Sequence, residues 1–302
     1  MKRLKPTNDF IFQRLFGEAE TKESLISLLN AILRLEGQAR LGDLNVIENK
    51  QLLKERIDDK TGRLDIRAHT LDGVQIDIEM QLTDHRNMTK RTLFYFSKLY
   101  LESIKAGAAY DTLKKTITIN ILDFEMLPIE RFHSTFHLYE DHEENYMLTD
   151  DVELHFIELP KFKKTERNMS DSLHRWLLFM DAKIPESLLK ELMVMDPAIK
   201  KAEERLEWLS GDAGIQELYE MRENSLIERN SLIADGIARG KEEGRAEGKA
   251  EGKAEGKVEG KAEGKSRSGT RNAPRRYGQG KCGSANKVDH GRSRTACRSA
   301  VT

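Results

Sequence analysis

Residues 63–81, with the sequence RLDIRAHTLDGVQIDIEMQ, alternate apolar and polar side chains on both sides of a central Leu-Asp-Gly at 71–73. Alternation with a period of two is typical of β-strands with one buried face, and the Leu-Asp-Gly favours a tight turn. Gly73 can adopt the positive φ that a three-residue hairpin loop requires. The stretch therefore predicts a β-hairpin with strands at 63–70 and 74–81.

The length of the loop decides which side chains share a face, because a slip of one residue exchanges the two faces of a strand. A three-residue loop pairs Thr70 with Val74 and brings apolar side chains together on one face: Leu64 with Met80, Ile66 with Ile78, and Ala68 with Ile76. The polar face then holds these pairs: Arg63 with Gln81, Asp65 with Glu79, Arg67 with Asp77, and His69 with Gln75. A two-residue loop would set Asp65 against Met80, so the three-residue loop is favoured.

The predicted pairing of Asp65 with Glu79 indicates a metal site. Two bare carboxylates about 4.5–5.5 Å apart at Cβ repel each other unless a cation is nearby. Mg²⁺ prefers one or two carboxylates together with water and phosphate oxygens, so phosphodiester hydrolysis is the natural chemistry, with Gln81 orienting water or phosphate. The alternative is that Arg63 and Arg67 neutralise both carboxylates in an exposed network of ion pairs.

The spacing of apolar residues outside the hairpin predicts an α/β protein that ends in helices. Helices are expected at 8–18, 21–35, 86–106, 171–182, 185–194, 197–210 and 214–235. Further strands are expected near 45–55, 116–124, 134–139 and 152–159. Trp176 and Trp208 lie among apolar neighbours in two of these helices, so both are expected to be packed inside the protein.

The charge is distributed unevenly along the 302 residues, although the formal net charge is only -1. Residues 266–302 hold nine Lys or Arg and one acid, which leaves 41 bases and 50 acids in residues 1–265. An acidic body argues against a large DNA-coating surface but leaves room for a local basic groove. Both cysteines, Cys282 and Cys297, lie in this tail, so neither a disulfide framework nor a cysteine-based zinc site is expected.

The sequence shows neither the apolar run of a signal peptide nor a stretch of about 18 apolar residues, so we expect a cytoplasmic protein without membrane contact. Between Gly240 and Gly264 a glycine recurs every fourth residue in an EGKA-like repeat. Each glycine costs a helix about 0.8–1 kcal/mol, so the repeat is expected to be a solvated, frayed helix or disordered. The basic tail at 266–302 is expected to be disordered, and its changed composition suggests a reading-frame change, which sequencing the junction would test.

Several stretches resemble the PD-(D/E)XK nuclease family transposases, also called the recombination-promoting (Rpn) nucleases. They are TNDFIFQRLFG at 7–17, DKTGRLDIRA at 59–68, VQIDIEMQ at 74–81, KRTLFYFSKLY at 90–100 and GAAYDTLKKTITINIL at 107–122. Their order and spacing also match the family, and further similarity in the helical part extends the resemblance to about 245 residues. The resemblance implies a restriction-endonuclease-like core, in which a mixed sheet is flanked by helices.

The resemblance also implies which residues act. The family's Asp and Glu-x-Gln fall on Asp65, Glu79 and Gln81, with Asp65 and Glu79 as ligands of Mg²⁺ or another divalent cation and DNA as the substrate. In the wider superfamily an acid on the first helix often completes the site, so Glu23 and Asp9 are candidates, although Asp9 is better suited to helix capping. Exposed cations near the hairpin are candidate phosphate contacts: Lys60, Arg91 and Lys98.

Two classes of function remain open from the sequence. The first is a metal-dependent DNA endonuclease associated with recombination or transposition. The second is a catalytically inactive relative that binds nucleic acid or protein and uses its helical region for assembly, for example as a homo-oligomer. Four segments are predicted: a nuclease-like domain at 1–165, a helical extension at 166–238, the repeat at 239–265 and the tail at 266–302.

Overall fold

The computed structural model describes residues 3–47 and 66–269. The helices in this part of the chain are α1 (Asp9–Phe16), α2 (Lys22–Ile32), α3 (Met88–Glu102), α4 (Leu159–Phe162), α5 (Ser172–Phe179), α6 (Glu186–Met195), α7 (Pro197–Gly211) and α8 (Ala213–Gly269). The strands are β1 (Leu44–Ile47), β2 (Ile66–Thr70), β3 (Gln75–Gln81), β4 (Thr116–Leu122), β5 (His133–Tyr139) and β6 (Met147–Glu158).

The strands form one mixed sheet of six strands in the order β1-β2-β3-β4-β6-β5. Strand β3 pairs with β2 in antiparallel fashion and with β4 in parallel fashion, and β4 continues in parallel to β6. The remaining pairs, β1 with β2 and β5 with β6, are antiparallel. The predicted α/β fold, a mixed sheet flanked by helices with a helical C-terminal region, is therefore confirmed.

The β2–β3 hairpin has the register that the three-residue loop predicts. The described pairs are Ile66 with Ile78, Arg67 with Asp77, Ala68 with Ile76, and His69 with Gln75. The backbone N–H of Thr70 donates to the carbonyl of Val74 over 3.0 Å, and Gly73 has the expected positive φ of 94°. The predicted pairs of residues 63–65 lie outside the described residues, as does the predicted strand beyond Ile47.

One face of the sheet packs against the helices in a single large apolar core. The sheet contributes Ile66, Ile76, Ile78, Ile119 and Ile121, all of which are buried. Helices that precede the strands in the sequence and helices that follow them both contribute to this core. Their buried residues include Phe12, Phe16, Leu25, Leu28, Trp176, Ile199 and Leu206. The helices after residue 166 are therefore packed into the same core as the first 165 residues.

The contacts divide the chain into two compact units, Met1–Asp235 and Gly236–Thr302. The sheet and helices α1–α7 belong to the first unit. Helix α8 runs from Ala213 to Gly269. It includes the whole glycine repeat, so the repeat is helical. In the part of the chain that the structure describes, no helix is both long and apolar enough to cross a membrane.

Three local expectations were wrong. Strand β6 begins at Met147 instead of near 152, because Met147 and Thr149 pair with β5. The N-cap of α1 is Asn8, whose side chain accepts hydrogen bonds from the backbone N–H groups of Phe10 and Ile11, so Asp9 is the first helical residue and not the cap. Trp208 is 57% exposed, with the guanidinium of Arg205 4.5 Å from its ring centroid.

The two tryptophans provide a matched test of the core. Trp176 is fully buried, and its ring contacts Phe16 and Phe179 edge-on. We predict that Trp176→Ala lowers the free energy of unfolding by roughly 3–5 kcal/mol, because it leaves a cavity in the core. Trp208→Ala removes a ring of the same size from the surface and is expected to lower it by about 1 kcal/mol or less.

Urea denaturation followed by circular dichroism measures both changes. Equal losses for the two variants would contradict the placement of the core.

Candidate active site

Strand β3 carries four polar side chains on the face that points away from the large core, and the first of them is the half-buried Gln75. Because side chains alternate along a strand, Asp77, Glu79 and Gln81 face opposite to the isoleucines of the same strand. Asp77 and Glu79 are completely buried, and Gln81 at the end of the strand is half-buried. Buried carboxylates in the centre of a sheet are unusual, and they mark this face as the candidate site.

Strand β4 extends the polar face. Thr118 stands beside Asp77 and Asn120 beside Glu79 in the parallel register, and both are completely buried. The sequence predicted a strand near 116–124, but the polar residues of this strand were not connected with the site. The signal that could have found them is the alternation of Thr and Asn with Ile in TITIN at 116–120.

Helix α3 lies over this polar face, and three side-chain contacts hold it there. Two of them join α3 to buried polar residues of β3 and β4, and one joins it to the neighbouring strand β2. The contacts are Arg91 Nε to Glu79 Oε2 at 3.2 Å, Thr92 Oγ1 to Asn120 Oδ1 at 3.0 Å, and Arg67 Nη2 to Glu102 Oε2 at 2.7 Å. Because these contacts are spread along α3, the helix is fixed over β3 and β4 along its length.

The carboxyl group of Glu79 is in an unfavourable place for a negative charge. Burial raises its pKa to about 7, even though the Arg91 guanidinium acts in the opposite direction and lowers it. Arg91 itself is partly exposed, and its guanidinium lies 5.3 Å from the ring centroid of Tyr95. The site thus holds a buried acid whose charge one arginine only partly compensates.

Glu79 has the properties of a ligand for a divalent cation. Neither of its carboxylate oxygens accepts a well-aligned hydrogen bond from the residues that the structure describes, so lone pairs remain for another partner. A buried carboxylate with free lone pairs fits the oxygen ligands that Mg²⁺ prefers. The described residues alone do not gather three or more His, Cys, Asp or Glu side chains around a metal position. The second predicted ligand, Asp65, lies outside the described residues.

The two candidate acids on the first helices are not brought to Glu79. Glu23 on α2 is exposed, and its ion pair with Lys201 on α7 lowers its pKa. Helix α2 packs on the apolar face of the sheet, the side opposite to Glu79. Asp9 at the start of α1 lies 3.4 Å from the guanidinium of Arg222 on α8. Both acids therefore have a partner in another helix.

The candidate phosphate contacts are placed differently from one another. Arg91 lies in the site, as its contact with Glu79 shows. Lys98 is exposed on α3, two turns further along the helix. Lys60 lies outside the described residues. Among these cations, Arg91 is the one that the described structure places against Glu79.

The sheet order and the buried polar face of β3 define an α/β protein of the nuclease-like class. The family model for the PD-(D/E)XK nuclease family transposases matches residues 6–236. The chain therefore belongs to this family, which confirms the resemblance seen in the sequence. Comparison with curated proteins and with solved structures gives no significant match.

The raised pKa of Glu79 has a consequence for stability in the absence of metal. The pKa of Glu79 is raised to about 7 in the folded protein, whereas the ordinary pKa of an exposed glutamate is 4.5, so the folded state holds this proton to a higher pH. The folded state is therefore favoured at low pH, and this advantage is lost as the pH rises through 7. A difference of this size corresponds to about 3 kcal/mol.

We predict that Glu79→Gln, which cannot ionise, raises the melting temperature in the presence of a chelator more at pH 8 than at pH 5. Glu186→Gln on the exposed surface of α6 is the control, and it should give nearly the same difference from the native protein at both pH values. Thermal denaturation at the two pH values measures this. An equal effect of Glu79→Gln at both pH values would contradict a pKa of Glu79 that is raised by burial.

Proposed function

We propose that this protein is a Mg²⁺-dependent DNA endonuclease that acts in recombination or transposition. The observation that carries the proposal is the completely buried Glu79, which has Arg91 beside it on the polar face of the sheet and accepts no well-aligned hydrogen bond from the other described residues. Membership of a nuclease family supports hydrolysis of phosphodiester bonds as the reaction. When bound, a divalent cation would supply neutralisation of charge on the phosphate and activation of a water molecule.

In this proposal Asp65 and Glu79 hold the cation. The described register pairs Ile66 with Ile78. If the same register were to continue by one residue, it would set Asp65 opposite Glu79. One carboxylate from each strand of a hairpin satisfies the preference of Mg²⁺ for one or two carboxylates, with the other positions left to water and phosphate oxygens. Repulsion between the carboxylates is relieved when the cation is bound.

Gln81 and Arg91 complete the proposed set of acting residues. Gln81 follows Glu79 by two residues on the same face, so its amide can donate a hydrogen bond to water or to a phosphate oxygen and hold it in place. Being neutral, it does not supply the positive charge that a lysine would bring to this position. Arg91 brings a permanent positive charge to the same face through its contact with Glu79.

The cleavage of supercoiled plasmid tests the proposal. We predict that the native protein nicks plasmid with Mg²⁺, that a chelator abolishes nicking, and that Asp65→Asn and Glu79→Gln reduce it by at least about 100-fold, because each removes a charged ligand. Glu186→Gln removes a carboxylate from α6 on the surface and should nick at the native rate.

If the native protein with Mg²⁺ cannot be distinguished from Asp65→Asn and Glu79→Gln, the nuclease proposal is wrong. A catalytically inactive relative that binds nucleic acid or protein then becomes the better description.

Binding of the cation has its own readout, separate from activity. We predict that Mg²⁺ at about 100 times its dissociation constant stabilises the native protein by about 2.7 kcal/mol, because a ligand that binds only the folded state shifts the folding equilibrium. Thermal denaturation across a Mg²⁺ titration should show a rising melting temperature for the native protein and for Glu186→Gln. The melting temperature of Glu79→Gln should stay nearly constant, and an equal rise in all three would locate the cation elsewhere.

A further inference from the structure

The segment between β3 and α3 meets helix α8 beside the candidate active site. Residues 82–87 leave the end of β3 just after Gln81 and lead into the first turn of α3. In this segment the hydroxyl of Thr83 donates to the side-chain oxygen of Asn230 on α8 over 2.7 Å. Residue 230 belongs to the first compact unit, so this contact lies within the nuclease-like body. The contact places one turn of α8 next to the end of the strand that carries Glu79.

Two arginines and a histidine lie next to this contact in the sequence. His85 and Arg86 follow Thr83 by two and three residues, and Arg229 directly precedes Asn230 on α8. Partial burial lowers the pKa of His85, and the charges of Arg229 and Arg91 lower it further against the opposing effect of Asp84. The contact between Thr83 and Asn230 therefore brings the backbone at His85 and the backbone at Arg229 to within a few residues of the same point.

Arg86 lies in a tight turn of the segment between β3 and α3. The carboxylate of Asp84 accepts a hydrogen bond from the backbone N–H of Arg86 over 2.6 Å, which closes a tight turn. Arg86 has a positive φ of 55°, an uncommon conformation for a residue with a side chain. Both Arg86 and Arg229 are exposed, so their guanidinium groups are accessible to a ligand.

The positive charges at the start of α3 and beside it are unfavourable for the stability of the folded protein. The first turn of α3 contains no acidic residue, although it holds Lys90 and Arg91. Cations at a helix N-terminus are unfavourable, and cations close together repel each other. The cluster also stands out against residues 1–265 as a whole, where acids outnumber bases by 50 to 41. An anion bound between α3 and α8 would relieve both kinds of repulsion.

We infer that His85, Arg86 and Arg229 bind the phosphate backbone of DNA beside Glu79, so that helix α8 forms part of the substrate-binding surface. The inference rests on the proposed function for its choice of anion, because a chain that cleaves DNA at Glu79 must hold phosphates next to that residue. Three side chains from two elements give the duplex a fixed position relative to the cation ligands. The site belongs to the nuclease core and to the helical extension together.

The experiment measures binding without cleavage. A fluorescein-labelled 20-base-pair duplex is titrated in the presence of a chelator with the native protein, Arg86→Ala, Arg229→Ala, the double variant and Arg167→Ala, and the anisotropy is followed at several salt concentrations. Arg167 is an exposed arginine in the connection between α4 and α5, so Arg167→Ala is the control for loss of one positive charge. Arg229→Lys keeps the charge on α8, and circular dichroism checks that each variant is folded.

We expect each of Arg86→Ala and Arg229→Ala to raise Kd by roughly 3–10-fold and to make the salt dependence less steep by about 0.9 for each lost phosphate contact. The double variant should combine the two losses, while Arg229→Lys and Arg167→Ala should remain near the native Kd. If Arg86→Ala and Arg229→Ala bind like Arg167→Ala, or if the native protein does not bind the duplex, the inference is wrong.

The same variants separate this inference from the proposed function. Plasmid nicking that depends on Glu79 but is unaffected by Arg86→Ala and Arg229→Ala would leave the nuclease standing and overturn the role of α8. Absence of nicking in the native protein together with the expected losses in duplex binding would overturn the nuclease and leave the DNA-binding surface standing.

Discussion

The register of the β2–β3 hairpin is the constraint on which the rest of this structure depends. Gly73 adopts a positive φ and closes a three-residue loop, and the loop determines which side chains of β3 turn towards the core. Isoleucines on one face join the helices, while Asp77 and Glu79 are left on the other. The apolar core and the polar floor of the candidate site are thus two results of the same backbone geometry.

The buried polar residues on this face of β3 and β4 lower the stability of the fold, and their contacts partly offset this loss. Burying a carboxylate is unfavourable unless charge or hydrogen bonds compensate it. Helix α3 supplies some of that compensation through Arg91 and Thr92, which contact Glu79 and Asn120. The compensation is incomplete, as the raised pKa of Glu79 shows. A buried carboxyl group whose charge is incompletely compensated is expected where a protein holds groups in place for a ligand.

Much of the fold could be predicted from the sequence because period-two alternation and helical spacing are local signals. The hairpin register, the mixed sheet and the helices around it are confirmed, and the family match supports the nuclease-like class. The beginning of β6 could not be predicted, because Met147 and Thr149 are held in the strand by pairing with β5 and not by a local alternation of apolar and polar residues. The exposure of Trp208 likewise depends on how α7 packs, which its own sequence does not reveal.

The candidate site was predictable where it depended on the hairpin and unpredictable where it depended on distant segments. Glu79 and Gln81 follow from alternation along one strand. The contact between Thr83 and Asn230 joins residues that are 147 positions apart, and no local pattern links them. For the same reason Glu23 was a reasonable candidate on sequence grounds, although α2 proves to lie on the other side of the sheet.

The three-residue loop at 71–73 also limits how this protein can change during evolution. Inserting or deleting one residue there would turn isoleucines towards the polar floor and carboxylates towards the core, so a change in length would damage folding and chemistry together. The connection between β5 and β6 carries no such requirement, since its exposed polar residues, 140–146, lie at the edge of the sheet. We therefore expect a change of one residue in length to be tolerated in the second hairpin and not in the first.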